Sequence, residues 1–276
     1  MSANPSFKGA RVLILESRRA REMASIVTSY TGVPISAPSM REVPLESNIE
    51  AAAAARTLID NGFDHVLLLT GVGTRAWLDV ADQVCGAREP FIEALRRVKV
   101  AVRGPKPLAV LRELQVPAWV TAPEPNTWRD LLAAIDAAGD GALRNARVAV
   151  QEYGMSNAEL IAGLEARGAN VTRVPVYQWM LPEDLEPLRA AIHALAGGAV
   201  DVALFTTGTQ AVHLMQVAKS MGQADAVRSA LRRVVVASIG PTTSEELHRQ
   251  GVEPRLEASH PKMGFLVREA AEAFAG

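Results

Sequence analysis

Two short turns carry the residue types best suited to gripping an anion. Residues 65–77, HVLLLTGVGTRAW, set Gly71, Gly73 and Ala76 in a G-x-G-x-x-A frame behind an apolar run. A dinucleotide-binding fold opens its first phosphate turn in this way. Such a fold also places an acidic residue about twenty residues on, at the end of the next strand, to hold a ribose. Here the next apolar run, VKVAVRG, ends in Arg103. An arginine suits a 2′-phosphate, so an NADP-dependent reductase stays open as one reading. A second copy of the turn weighs against it. Aligned residue for residue, T-T-G-T-Q-A at 206–211 puts a threonine where Gly71 stands. What the copies share is a strand end, a glycine and a helix start, with Thr70, Thr74 and Arg75 beside one and Thr206 and Thr207 in the other. Such turns hold anions in general, carboxylates included.

The pair RGPKP (103–107) and IGPTT (239–243) repeats the theme. Each is a Gly-Pro turn with proline at the first helical position. Arg103 and Lys106 in one copy, Thr242 and Thr243 in the other, would stand at the C-terminal edge of a parallel sheet, where open α/β folds bind ligands. Ser17, Arg18, Arg19 and Arg21 after one strand, and Tyr153, Gly154, Ser156 and Asn157 after another, point to the same edges. Read singly, Arg19 and Arg21 are equally well solvated helix-start charges. Together the donors describe two rims suited to a polyanionic small molecule held between lobes. The five histidines make no H-x-x-x-H or H-E-x-x-H pattern. There is no G-x-S-x-G and no Walker loop. Cys85, the one cysteine, leaves no internal disulfide and reads as a small residue on a buried helix face. Tyr177, in RVPVYQWMLP, places a phenol in a proline-punctuated stretch, as a packing residue or in a functional role.

These residues need a scaffold, and the chain supplies one. Strands are predicted at 11–17, 65–71, 98–104, 118–122, 147–154, 201–207 and 234–240. They are continuously apolar, as parallel strands covered on both faces are. Helical patterns follow most of them. Ser47-x-x-Glu50 and Ser156-x-x-Glu159 read as capping boxes, Asn126 as an N-cap, and Gly62 and Gly168 as helix ends. The expected class is α/β with parallel sheets. Four segment pairs recur at an offset of 135 or 136 residues, so the chain is a duplicated unit. The segments 33–46 and 171–184 break the rhythm at equivalent places and read as linkers between two lobes, a hinge crossed twice. The 276 residues suffice for two domains. The near-cancelling charge (net −1) and the 5% aromatic content give no push towards nucleic acid or a membrane surface. With no h-region at the start and no long apolar run, the chain reads as cytoplasmic.

Taken in order, VPVYQW, GPTTSEELHRQGV and the paired turns LTGVGTRAW and LFTTGTQAV make the chain resemble the uroporphyrinogen-III synthase family, over essentially its whole length and in a bacterial subgroup with the RGPKP turn. The resemblance implies two α/β lobes, each a parallel sheet flanked by helices. One would be discontinuous (1–38 plus 181–276), the other inserted (43–174), with 39–42 and 175–180 as a two-stranded linker hinge. It implies a cyclising hydro-lyase that turns hydroxymethylbilane, a linear tetrapyrrole with eight carboxylates, into uroporphyrinogen III with inversion of ring D. No cofactor or metal is implied, and the protein is expected to be a monomer. It assigns Tyr177 the catalytic role, as the acid for the departing hydroxyl. Thr243 becomes a substrate contact, with Thr242, Ser17, Arg18, Thr74, Arg75, Arg103, Lys106, Gly154, Ser156, Thr206 and Thr207 as further substrate-binding candidates. The sequence departs from many family members in carrying Pro107 where they have a threonine. A non-catalytic tetrapyrrole or small-anion sensor on the same scaffold is the main alternative.

Overall fold

The computed structural model describes residues 5–44, 48–139, 141–152, 154 and 156–275; the side chains of Val43, Pro44, Tyr177 and Gln178 lie outside that description. The first copy of the repeat holds β1 (Arg11–Ile14), α1 (Ala20–Ser29), β2 (Val33–Ser36), β3 (Arg41–Pro44), α2 (Ile49–Ile59), β4 (His65–Leu68), α3 (Gly71–Cys85), α4 (Glu89–Arg97), β5 (Lys99–Val102), α5 (Pro105–Glu113), β6 (Val120–Thr121) and α6 (Trp128–Ala137). The second holds β7 (Arg147–Glu152), α7 (Ala158–Glu165), β8 (Asn170–Pro175), β9 (Tyr177–Met180), α8 (Glu186–Ala196), β10 (Val202–Phe205), α9 (Gly208–Ser220), α10 (Ala224–Leu231), β11 (Val235–Ser238), α11 (Pro241–Arg249), β12 (Leu256–Glu257) and α12 (Met263–Ala275).

The chain divides into two compact units, residues 1–41 with 180–276, and residues 42–179. The first contains a five-stranded sheet in the order β12-β11-β10-β1-β2, the second one in the order β6-β5-β4-β7-β8. All pairings within these sheets are parallel. In each, the chain leaves the middle in opposite directions, which puts a topological switch point between β1 and β10 and between β4 and β7.

Neither unit is one copy of the repeat. The first joins β1 and β2 of one copy to β10, β11 and β12 of the other; the second joins β4, β5 and β6 to β7 and β8. The halves are exchanged, and the chain passes from one unit to the other at β3 and β9, which pair as a two-stranded sheet. An ion pair recurs at the seam of each exchange. Asp201 accepts from the backbone N–H, Nε and Nη2 of Arg11 at 2.8, 2.9 and 2.9 Å. Asp64 does the same for Arg147 at 2.8, 3.1 and 2.9 Å. In both, the strand start of one copy is tied to the strand start of the other.

The central strands β1, β4, β5, β10 and β11 are largely apolar because helices cover both faces. In the second unit Val66 and Leu68 face Trp77, Phe91 and Leu95, while Leu67 faces Leu131 and Leu160. In the first, Leu13 and Ala203 face Ile192 and Leu214, while Val12 and Ile14 face Val27 and Leu266. Trp77 is fully buried and donates Nε1–H to the Ala51 carbonyl at 3.0 Å. Cys85, expected on a buried face, is half-buried at the end of α3.

The segments read as linkers begin as sheet. Residues 33–36 and 170–175 form the edge strands β2 and β8, where Pro34 and Pro175 are tolerated and several residues are exposed. Two helix starts also differ from the sequence reading. Thr127, not Asn126, caps α6 in a reciprocal box with Asp130, and Asn126 sits just before it at φ +62°. Asn157, not Ser156, caps α7. Ser47 lies outside the described residues, and α2 starts after Asn48. Among the described residues no helix is long and apolar enough to cross a membrane.

Candidate functional site

The C-terminal edges of the two sheets collect the predicted residues, and each edge can be built from its strands. In the first unit β1 runs into Glu16, Ser17 and Arg18. Ser17 Oγ accepts from the Met40 N–H at 3.4 Å, and Arg18 is exposed at the turn. Arg19 is bound up with Glu22, as a solvated helix-start charge would be. β10 runs into Thr206 and Thr207. Thr206 donates its hydroxyl to Glu16 at 2.6 Å, and the Gln210 amide folds back on it, accepting from its N–H at 2.8 Å and donating to its hydroxyl at 2.8 Å. Thr207 stands at the N-cap of α9 without making the side-chain cap bond. β11 runs into Gly240 and α11, where Thr242 is exposed and Thr243 is 4% exposed. Beside them Ser244 donates to Glu257 at 2.6 Å.

The second unit has the same framework with different occupants. Thr70 is the N-cap of α3 and accepts from the Gly73 N–H at 3.0 Å. Thr74 is turned inward: it is 3% exposed and donates to the Thr70 carbonyl at 2.8 Å. Arg75 points away along the helix to a bidentate pair with Glu113, at 2.9 and 2.6 Å. Ser156 donates to Glu152 at 2.7 Å, and that buried carboxylate is answered by Arg173 at 3.0 Å. Gly154, at φ +86°, is covered: a Cβ there would lie 1.9 Å from the Trp179 ring. Tyr153 lies outside the described residues. Arg103 and Lys106, by contrast, meet no carboxylate among the described residues. Arg103 is half-buried, and burial holds its pKa below the ordinary arginine value.

The paired glycines are resolved by packing. The N-caps Thr70 and Thr207 are equivalent, and so are the first helical residues Gly71 and Gly208. A Cβ on Gly71 would come within 2.9 Å of the Lys106 carbonyl oxygen; one on Gly208 would come within 2.7 Å of Glu246 Cβ. The reading that put a threonine opposite Gly71 is therefore corrected by one residue. The shared glycine serves the close approach of α3 to α5 and of α9 to α11. Gly73 is the unshared one, and the side chain of Gln151 fills the space above it.

A family model described as uroporphyrinogen-III synthase HemD matches residues 21–268. The chain belongs to the uroporphyrinogen-III synthase family. A protein of Bacillus subtilis, "Uncharacterized protein YjjA", is 30% identical over 268 residues, covering 96% of each sequence. Among solved structures, a mutant uroporphyrinogen III synthase of Thermus thermophilus covers 97% of this chain and 99% of its own at TM-score 0.77 and 25% identity. The wild-type enzyme in another crystal form aligns over 97% of this chain and 100% of its own at TM-score 0.60 and 26% identity.

Within this synthase-family fold, sequence reasoning missed the acids and amides at the switch points. Glu16 and Glu152 occupy equivalent places, one bonded to Thr206, the other to Arg173. Gln210 and Gln151 each bring an amide to the same corner, from the helix in one unit and from the strand in the other. Gln151 is fully buried, and neither polar atom of its amide has a partner among the described residues. The repeat alignment contained the glutamates in register, at 16 and 152, but an acidic residue after a strand is too common to single out.

Proposed function

We propose that this protein is a uroporphyrinogen-III synthase, closing hydroxymethylbilane to uroporphyrinogen III with inversion of ring D and loss of water. The observation that carries the reading is the family match across residues 21–268, supported by a solved synthase aligned along nearly the whole chain. The hydroxyl of the ring A hydroxymethyl group takes a proton and leaves as water, which gives an azafulvene cation. The substituted carbon of ring D then attacks to give a spiro intermediate, which fragments and recloses at the unsubstituted carbon of ring D with loss of a proton. Tyr177 is assigned the first step. A phenol of reference pKa about 10 is in its acid form at neutral pH and hydrogen-bonds the departing oxygen. Its backbone belongs to β9, in the two-stranded crossover.

The donors that remain uncommitted suit a polycarboxylate. Thr207, Thr242 and Thr243 offer hydroxyls in the first unit, and Arg103 and Lys106 offer charge in the second. Thr74, Arg75, Ser156 and Thr206 are spent on their own unit and act as framework. Holding a flexible chain in one folded geometry is the larger part of the catalysis, because head-to-tail closure to the type I isomer competes without help.

The test is to generate hydroxymethylbilane in situ from porphobilinogen and resolve the oxidised products. The expected product is the type III isomer. Type I alone, no faster than without protein, removes the enzyme reading and leaves the sensor. Tyr177→Phe is expected to slow type III formation by about two orders of magnitude; near-full activity withdraws its role.

A further inference from the structure

We infer that Arg103 and Lys106, with the first turn of α3, form a carboxylate-anchoring subsite on the second unit. The inference rests on the reading that the ligand is a polycarboxylated tetrapyrrole, and it says which strand edge grips the ligand by charge. Arg103 follows β5, and its N–H donates to the Leu68 carbonyl at 3.1 Å, which fixes it beside the end of β4. Most other arginines near a helix or strand end reach an acid: Arg11, Arg75, Arg88, Arg96, Arg147, Arg167 and Arg173 all do so. Arg103 is half-buried, as Arg11, Arg96 and Arg167 are, yet unlike them it has no counter-ion among the described residues. A sheltered charge left alone costs stability. Binding an anion there recovers that cost.

Lys106 stands at the same corner. The missing Cβ of Gly71 would lie 3.3 Å from Lys106 Cβ, so the lysine abuts the first turn of α3. In that turn the Thr70 hydroxyl takes the Gly73 N–H, and the N–H groups of Gly71 and Val72 precede any intrahelical acceptor. α5 itself offers little backbone, since Pro105 and Pro107 remove two of its first three N–H groups. The corner therefore recognises an anion by a guanidinium fork and an ammonium, a pairing matched to carboxylate oxygens.

The experiment uses the full chain, with uroporphyrin III (eight carboxylates), coproporphyrin III (four) and inorganic phosphate as probes in calorimetry and thermal melts. Arg103→Met is expected to melt at or above the wild type without ligand and to bind uroporphyrin III about tenfold or more weakly, with Arg103→Lys between. Lys106→Met should weaken binding less. In turnover, Arg103→Met should raise KM and leave kcat within about twofold. Wild-type affinity in Arg103→Met overturns the subsite, and so does a melt well below wild type, which would mark the arginine as structural support. Displacement of uroporphyrin III by equimolar phosphate overturns the carboxylate assignment. A wild type that makes type III product while Arg103→Met keeps its KM refutes the subsite alone. Loss of uroporphyrin binding in Arg103→Met, in a protein that makes no type III product, refutes the enzyme reading and leaves the subsite standing.

Discussion

The turns RGPKP and IGPTT sit after equivalent strands, β5 and β11, and open equivalent helices, α5 and α11. Their backbones do the same work: a strand ends, Gly104 or Gly240 precedes the helix, and proline takes its first position. Their side chains do not. Arg103, Lys106 and Pro107 stand where the first unit has Ile239, Thr242 and Thr243. One turn offers cations; the other offers hydroxyls without charge. The contrast separates two kinds of constraint. What both units keep is what the fold requires, such as the glycine at the start of α3 and α9. What differs is free to answer a ligand, and the ligand need not present the same face to both.

That comparison can be broken at its shared element. Gly71→Ala and Gly208→Ala each drive a methyl into a neighbouring helix, at 2.9 Å from a carbonyl oxygen and 2.7 Å from a side-chain carbon. Each is expected to lose about 1–3 kcal/mol in urea unfolding, against the gain of up to about 1 kcal/mol that alanine normally brings to a helix. A gain in either variant would show that the two glycines do not serve one packing need.

The amide corner sharpens it with opposite signs. Gln151→Leu removes a buried amide without partners and copies Leu15, the residue at that place in the first unit. It should stabilise by about 1 kcal/mol. Gln210→Leu strips Thr206 of both its amide contacts and should cost about 1 kcal/mol. Equal signs would mean that the two amides do not differ in how well their hydrogen bonds are met.

The smallest effect is at the opposite edge. The Arg147 guanidinium holds the Asp64 carboxyl at about 2, chiefly by hydrogen bonding, and Arg11 likewise lowers Asp201. A lowered folded pKa means that the stabilisation is present above the ordinary carboxylate value near 3.8 and is lost as pH falls through about 2 for Asp64. Both pairs are substantially exposed, so solvent screening keeps the gain small. Asp64→Asn and Asp201→Asn should each lower Tm by about one to two degrees at pH 7, and the differences from wild type should vanish near pH 2. A loss from Asp64→Asn alone would show that the two seams are not equivalent.

Much of this architecture was legible in the residues. Seven of the strands announce themselves because both faces are covered and alternation disappears, and the repeat follows from their order. β2 and β8 were not legible as sheet, because an edge strand with proline in it reads as a linker. The partition of candidate donors was not legible either. Thr74 and Thr207 are both threonines in a strand-to-helix turn, yet one bonds its own helix and the other has no cap bond, and only the phase of the helix distinguishes them. Arg75 and Arg103 are both arginines near a glycine turn; Glu113, 38 residues on, neutralises the first.

From the sequence alone came the α/β class, the duplication and the family, because those depend on local hydrophobic pattern and on the order of motifs. The resemblance also carried the division of the chain between the two units; the tertiary structure decided which strand starts are tied by an ion pair, which glycine is shared and which cations are left uncompensated. Those depend on contacts between segments about 35 to 190 residues apart, and no local pattern records which distant partner a side chain will meet.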